Sequence, residues 1–268
     1  HMGTGWYSGV LPGVKHHGPV VHAQLEITDS HEDQKILTGL DWQTKNSHRK
    51  ILGSWKHAQF GGEEVDARKA EKNWWKTAQS STGWKSVTEV DVADVPCTAQ
   101  PCRGNNVFKM IEPKTIVWLD DTTVLVDFGT NLTGLYRMNF RGLNENKEIT
   151  FYYADYDGRS EEDAWRVRNP KKGFAYYNQH GRFISAGNEV EKFENKFNYH
   201  GFRYVLIEGI PYLPDASDLK ALAIETATEE IGTFSCSNDL YNRIDDMVSW
   251  TYRCLSLGGQ TVDCPHRE

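Results

Sequence analysis

Apolar and polar residues alternate in short runs along most of this chain. Val20-Val21-His22-Ala23-Gln24-Leu25-Glu26-Ile27 is one such run, and Lys35-Ile36-Leu37-Thr38 and Asp41-Trp42-Gln43 return after the breakers Asp29-Ser30 and Glu32-Asp33. A half-buried strand has this period of two, because successive side chains point to opposite faces. The same pattern predicts strands over residues 122–129, where Gly129 ends the run, and over 135–142 and 148–153. The longest strand signal covers residues 193–207. Short strands with turn residues between them predict β-sandwiches. From Gly232 the period changes: Leu240, Ile244, Met247, Val248, Thr251, Cys254 and Leu255 recur at helical spacing. Residues 235–239 offer N-cap oxygens and an acid for the first turn, and Gly258-Gly259 ends the helix. Its apolar stripe is broad, so the expected partners are helices outside this chain. Pro96, Pro101 and Gly104 interrupt any regular pattern. The expected division is a β-sandwich over 1–90, a linker over 91–106, a second sandwich over 107–228 and a helical segment over 229–268.

Composition narrows the function classes. A net charge of −7 argues against a nucleic-acid partner, which needs a clustered basic face. No apolar run reaches the length of a membrane span. The 9 tryptophans and 12 tyrosines suit stacking on sugar rings as well as a β core. Five cysteines are too few for a disulfide scaffold. Cys97 and Cys102 lie close enough in a Pro-flanked loop to pair, Cys236, Cys254 and Cys264 are read as free, and the compartment stays open.

Four places carry candidate chemistry. Gly61-Gly62-Glu63-Glu64-Val65-Asp66-Ala67-Arg68 reads as a charged loop with a local Asp66/Arg68 or Glu64/Arg68 pair. Asp127 and Asn131 flank a tight turn whose backbone their side chains can bond. His200, beside Gly201, has no second histidine at metal-ligand spacing, so a strand histidine satisfied by a backbone partner is expected. The fourth place is the end, Thr261-Val262-Asp263-Cys264-Pro265-His266-Arg267-Glu268. Pro265 fixes its own φ and keeps the preceding residue extended. Asp263, Arg267 and Glu268 then offer acceptors, a forked donor and acceptors again, which fits a ring of hydroxyls; a solvated charged turn is the alternative.

These motifs resemble those of the bacterial α-L-rhamnosidases, glycoside hydrolase family 78. Residues 261–268 resemble the family's Asp-Cys-Pro-Gln-Arg-(Asp)-Glu signature, and residues 124–134 its Val-Asp-Phe-Gly-Gln-Asn-Leu-x-Gly stretch. Residues 197–205 resemble its Phe-x-Tyr-His-Gly-Phe-Arg-Tyr-Val strand, residues 62–68 its Gly-Glu-x-x-Asp-Ala-Arg stretch, and residues 232–239 its entry into the catalytic domain. The resemblance implies a mainly β chain of two jelly-roll-like sandwiches followed by the first helix of an (α/α)6 catalytic domain. It implies inverting hydrolysis of terminal, non-reducing α-L-rhamnose, with Asp263, Arg267 and Glu268 bonding the sugar hydroxyls. His266 departs from the family's usual Gln. The general acid and base are expected beyond Glu268, so the 268-residue chain is expected to lack glycosidase activity by itself. Expected partners are rhamnosides and a C-terminal (α/α)6 domain, and no cofactor is assigned. The competing reading is a non-catalytic, calcium-assisted rhamnose-binding module with Trp6, Trp42 and Trp55 as a platform, although no calcium-ligand set can be placed. A metal site of Asp263, Cys264, His266 and Glu268 would be strained around Pro265.

Overall fold

The computed structural model describes residues 21–28, 33–53, 61–71, 82–90, 99–155 and 179–261. In chain order the strands are β1 (Gln24–Thr28), β2 (Asp33–Leu37), β3 (Gln43–Thr44), β4 (Arg49–Leu52), β5 (Gly62–Asp66) and β6 (Lys85–Ser86). Then come β7 (Asn105–Ile111), β8 (Thr115–Asp120), β9 (Thr123–Arg141), β10 (Glu148–Ala154), β11 (His180–Ile184) and β12 (Val190–Glu194). Last are β13 (His200–Glu208), β14 (Leu219–Thr226), the helix α1 (Asp239–Leu255), β15 (Ser256–Leu257) and β16 (Gln260–Thr261). The chain is mainly β, as its alternation predicts.

Contacts divide it into two units, His1–His48 with Lys69–Thr98 and Arg49–Arg68 with Ala99–Glu268. In the first, β1 and β2 form an antiparallel hairpin and β3 pairs with β6. Lys45 bridges to Glu71 at 2.8 Å.

The second unit is built on a ten-stranded sheet in the order β4-β5-β11-β10-β13-β9-β14-β7, with β8 and β12 also pairing with β9. β9 is its spine. Residues 123–127 of β9 pair with β13 and β8, residues 134–138 pair with β14, and residues 137–141 pair with β12. The expected strand end at Gly129 is therefore a bend instead. Gly129 takes φ 78°, a value glycine reaches without strain, and the strand continues for twelve further residues to Arg141.

One aromatic core fills the inner face. Val124, Val126, Phe128, Tyr136, Met138 and Phe140 of β9 meet Phe151 and Tyr153 of β10, Phe183 of β11 and Phe193 of β12. β13 supplies Phe202, then Val205 and Ile207, which switches parity along the strand. The cause is a register shift in which a step of two residues in β13, from Phe202 to Tyr204, is matched by a step of five in β9, from Leu132 to Asp127; an odd offset exchanges the two faces of a strand.

The run at 193–207 is not one strand. β12 ends at Glu194 and β13 begins at His200. The break is imposed from far away in sequence. The backbone N–H groups of Lys196, Phe197 and Asn198 all donate to Glu63 Oε1, at 2.6, 2.5 and 3.0 Å, and so are drawn out of any ladder. Residues 62–66, expected as a loop, form β5, which pairs in parallel with β11. Of the two ion pairs expected there, Asp66 and Arg68 pair at 2.8 Å, whereas Glu64 bonds Arg182 across that parallel pairing.

Candidate functional site

Asp263, Arg267 and Glu268 lie outside the described residues, as do Cys264, Pro265 and His266. The structure describes the device from which they extend. α1 starts on Asn238, whose side chain accepts from Leu240 N–H at 2.9 Å, with Asp239 in the first turn. An N-cap oxygen satisfies an otherwise orphan donor, and an acid there complements the helix dipole.

The last turns of α1 dock on the sheet. Trp250 Nε1 donates to the Asn131 carbonyl at 2.8 Å, and its ring meets Phe108 edge-on with centroids 5.4 Å apart. Cys254 is buried in the core, where loss of water pushes its thiol up. Arg253 makes two bonds to Glu225, at 2.6 and 2.7 Å, and lies 4.1 Å over the Phe108 ring. Its pKa is raised, first by the bond to Glu225. Forked pairing of this kind fixes orientation as well as distance.

The outward stripe of α1 is open. Leu240, Ile244, Met247 and Val248 are all exposed. Four such residues on one face of a helix are what a packing partner would cover.

Gly258-Gly259 does more than stop the helix. α1 ends at Leu255, and the two glycines, at φ 63° and 84°, form the two-residue turn between β15 and β16. Positive φ at both positions is the type I′ requirement, which glycine meets most readily. Gly258 N–H donates to Asn105 Oδ1 at 2.9 Å and Gly259 N–H to Thr226 Oγ1 at 3.0 Å. Residue 262 follows β16 directly. Gly259→Ala is expected to destabilise this turn by about 1–2 kcal/mol, because an L residue strains at that φ. The new Cβ would also stand 2.6 Å from Cys102 Sγ. Urea unfolding of the variant measures it.

The other candidates are structural. Asp127 Oδ1 accepts from Gly129 N–H at 2.6 Å, as the turn reading expects, and Arg203 grips the same carboxylate at 2.8 and 2.9 Å. The Arg203 bond is the main reason the carboxyl titrates below its usual range, with the Gly129 amide adding to it against the effect of burial. His200 stacks on Tyr153, ring centroids 4.2 Å apart and planes 13° apart. The expected backbone partner is absent at Nε2, which is buried without a hydrogen bond, as is Tyr153 Oη. Burial, then His180, lowers the His200 pKa to about 3. Among the described residues no group of three His, Cys, Asp or Glu side chains is arranged to hold a metal ion. Cys102 is a free thiol, and its proposed partner Cys97 lies outside the described residues, as do Trp6 and Trp55; Trp42 is exposed.

Three successive bacterial α-L-rhamnosidase domains match the chain. The α-L-rhamnosidase N-terminal domain matches residues 1–109, the concanavalin-like domain 118–225 and the six-hairpin glycosidase domain 229–268. The chain belongs to the bacterial α-L-rhamnosidase family. An α-L-rhamnosidase of Formosa agariphila is 30% identical over 211 residues, which are 78% of this chain and 22% of that protein. One from Streptomyces avermitilis is 24% identical over 291 residues, 100% of this chain and 25% of its own length. The chain thus spans about a quarter of the length of these curated relatives. Among solved structures, the α-L-rhamnosidase of Dictyoglumus thermophilum superposes with a TM-score of 0.73 at 26% identity, over 87% of this chain and 25% of that one. The Streptomyces avermitilis α-L-rhamnosidase in complex with L-rhamnose gives 0.75 at 22% identity, over 91% and 23%, which speaks for the fold.

The mounting residues Asn105, Glu225, Thr226 and Arg253 carry no local sequence signal, because their partners lie 28 to 153 residues away. Only the Gly-Gly pair is readable, as a hairpin turn.

Proposed function

We propose that this chain is the β-sandwich part and the entry to the catalytic domain of an enzyme that hydrolyses terminal, non-reducing α-L-rhamnose with inversion. The observation that carries the reading is the firmly mounted α1-hairpin unit, which lies within the six-hairpin glycosidase match and leads straight into residues 262–268. In this reading Asp263, Arg267 and Glu268 bond the sugar hydroxyls, each charged hydrogen bond contributing about 1.5–3 kcal/mol. The proton donor and the water-activating carboxylate stand roughly 6.5–9.5 Å apart in an inverting enzyme, and we assign both to polypeptide beyond Glu268. The exposed stripe of α1 is assigned to packing against the remaining helices of that domain. We also assign residues 1–90 to the N-terminal sandwich, 91–106 to a linker, 107–228 to the second sandwich and 229–268 to the helical domain. β4 and β5 fall in the first of these ranges by sequence but belong to the sheet of the second unit.

The test compares this chain with a protein that carries it at the full length of its relatives, using an aryl α-L-rhamnoside. The longer protein is expected to hydrolyse it with inversion, and the 268-residue chain to match a heat-treated control. Asp263→Ala in the longer protein is expected to lower kcat/KM by about 10–100-fold, the loss of one charged bond. Hydrolysis by the short chain, or an unchanged kcat/KM in Asp263→Ala, would overturn the assignment.

A further inference from the structure

Thr226 and Asn105 are register partners, the terminal rung of the β14–β7 pairing. Their side chains leave that rung to take the two amides of the Gly258-Gly259 turn. Thr226 Oγ1 accepts from Gly259 N–H at 3.0 Å and donates to Asn105 Oδ1 at 3.2 Å, and Asn105 Oδ1 also accepts from Gly258 N–H at 2.9 Å. Cys102 closes the other side, its thiol 3.7 Å from the Gly258 carbonyl and so near Gly259 that a methyl group there would overlap it. A turn that served only to end a helix could leave its amides to water, since glycine by itself meets the positive-φ requirement of a type I′ turn. Here a flexible dipeptide is held by two strands instead, and Glu225, next to Thr226, holds Arg253 of the helix that precedes it.

We propose that Thr226 and Asn105 are positioning residues for the substrate-binding loop, setting where residues 262–268 begin relative to the sandwich. The inference rests on the rhamnosidase reading above. Thr261 is the last residue of the hairpin and pairs with Ser256, so only Val262 separates this fixed rung from Asp263. A change of tilt at the turn moves Thr261, the point from which residues 262–268 continue. Positional errors of about 1 Å suffice to cost about 100-fold in rate when the reacting groups must align.

The experiment uses the protein at the length of its relatives, with Thr226→Val, Thr226→Ser and Asn105→Ala. Val keeps the volume but removes the hydroxyl, Ser restores the hydroxyl, and Asn105 is exposed, so its truncation does not disturb the core. Thr226→Val is expected to lower kcat for an aryl α-L-rhamnoside by about 10–100-fold with Thr226→Ser within about threefold of the unmodified protein. Hydrogen exchange is expected to speed up in peptides covering 258–268 and to stay unchanged in β9 and β13, with the melting temperature preserved. Asn105→Ala is expected to act in the same direction and decides the matter if Thr226→Val does not fold. Equal kcat in the Val and Ser variants, or a parallel fall in kcat and melting temperature with uniform exchange, would overturn the proposal. If the unmodified protein hydrolyses no α-L-rhamnoside, the functional reading fails. The mount is then decided by exchange alone, and unchanged protection of 258–268 in Thr226→Val refutes it.

Discussion

Glu63→Ala is expected to remove at least about 5 kcal/mol of stability, because it breaks a buried ion pair and orphans three amides. Glu63 is fully buried, and its Oε1 takes three consecutive N–H groups while Oε2 faces Arg49 Nη1 at 3.1 Å. Arg49 also donates to the Glu194 carbonyl at 2.7 Å, so the pair ties β4 and β5 to the end of β12. A neighbouring network carries the same turn: Asn195 Oδ1 accepts from Tyr136 N–H at 2.6 Å, and its amide donates to the Asn198 carbonyl. Breaking a buried ion pair costs about 3–5 kcal/mol, and a buried amide without a partner costs a further 1–3 kcal/mol. Domains of this size are stable by about 5–15 kcal/mol, so the Ala variant is expected to be largely unfolded in urea concentrations the parent tolerates. Glu63→Gln keeps one acceptor oxygen for the three amides and removes the charge opposite Arg49. It is expected to lose about 3 kcal/mol, the ion-pair part alone. Equal unfolding midpoints for Gln and the parent would show that the amides, not the charge, are what Glu63 serves.

The same residue shows what the sequence made legible and what it did not. Alternation located most of β9, β10 and β13, since each presents a continuous polar-apolar period to one core. Helical spacing and the glycines located α1 and its apolar stripe, of which Cys254 packs into the core while Leu240, Ile244, Met247 and Val248 are exposed. What could not be read are features set by residues distant in the chain. The break at 195–199 exists because Glu63, more than 130 residues earlier, captures its amides. A local pattern of Phe193, Phe197 and Tyr199 contains nothing to announce that. Gly129 looked like a strand end because glycine is a turn residue, yet β8, β13 and β14 all pair with β9 and carry it through the bend. Arg203 reads locally only as a strand residue, and its role as the clamp on Asp127, 76 residues away, depends on the register shift beside it. The residues we propose to bind hydroxyls, Asp263, Arg267 and Glu268, are singled out only through resemblance. Three charged side chains around a proline have no periodicity that separates a sugar site from a solvated turn.

Acid is expected to destabilise the second unit through His200 before most carboxylates titrate. In the folded chain the imidazole is buried against Tyr153 and its pKa is lowered to about 3, by loss of water first and by His180 second. In the unfolded chain it returns to about 6.5. Above that pH neither state binds the proton and the group has no effect on stability. Below it the unfolded chain is protonated while the folded one is not, so stability falls by about 1.4 kcal/mol per pH unit until the folded pKa is reached. Between pH 6.5 and 4.5 this amounts to about 2–3 kcal/mol. Asp127 acts in the same direction in a lower window. Its carboxyl is held below the usual range by Arg203, so its contribution is present above the ordinary carboxylate pKa and is lost as pH falls through the depressed one. His200→Phe separates the two, because a planar ring can keep the stack on Tyr153 and has no proton to bind. Urea unfolding at pH 7, 6, 5 and 4.5 is expected to show a slope smaller by about one proton in the Phe variant than in the parent. Parallel pH profiles for the two proteins would mean that His200 already accepts a proton in the folded state.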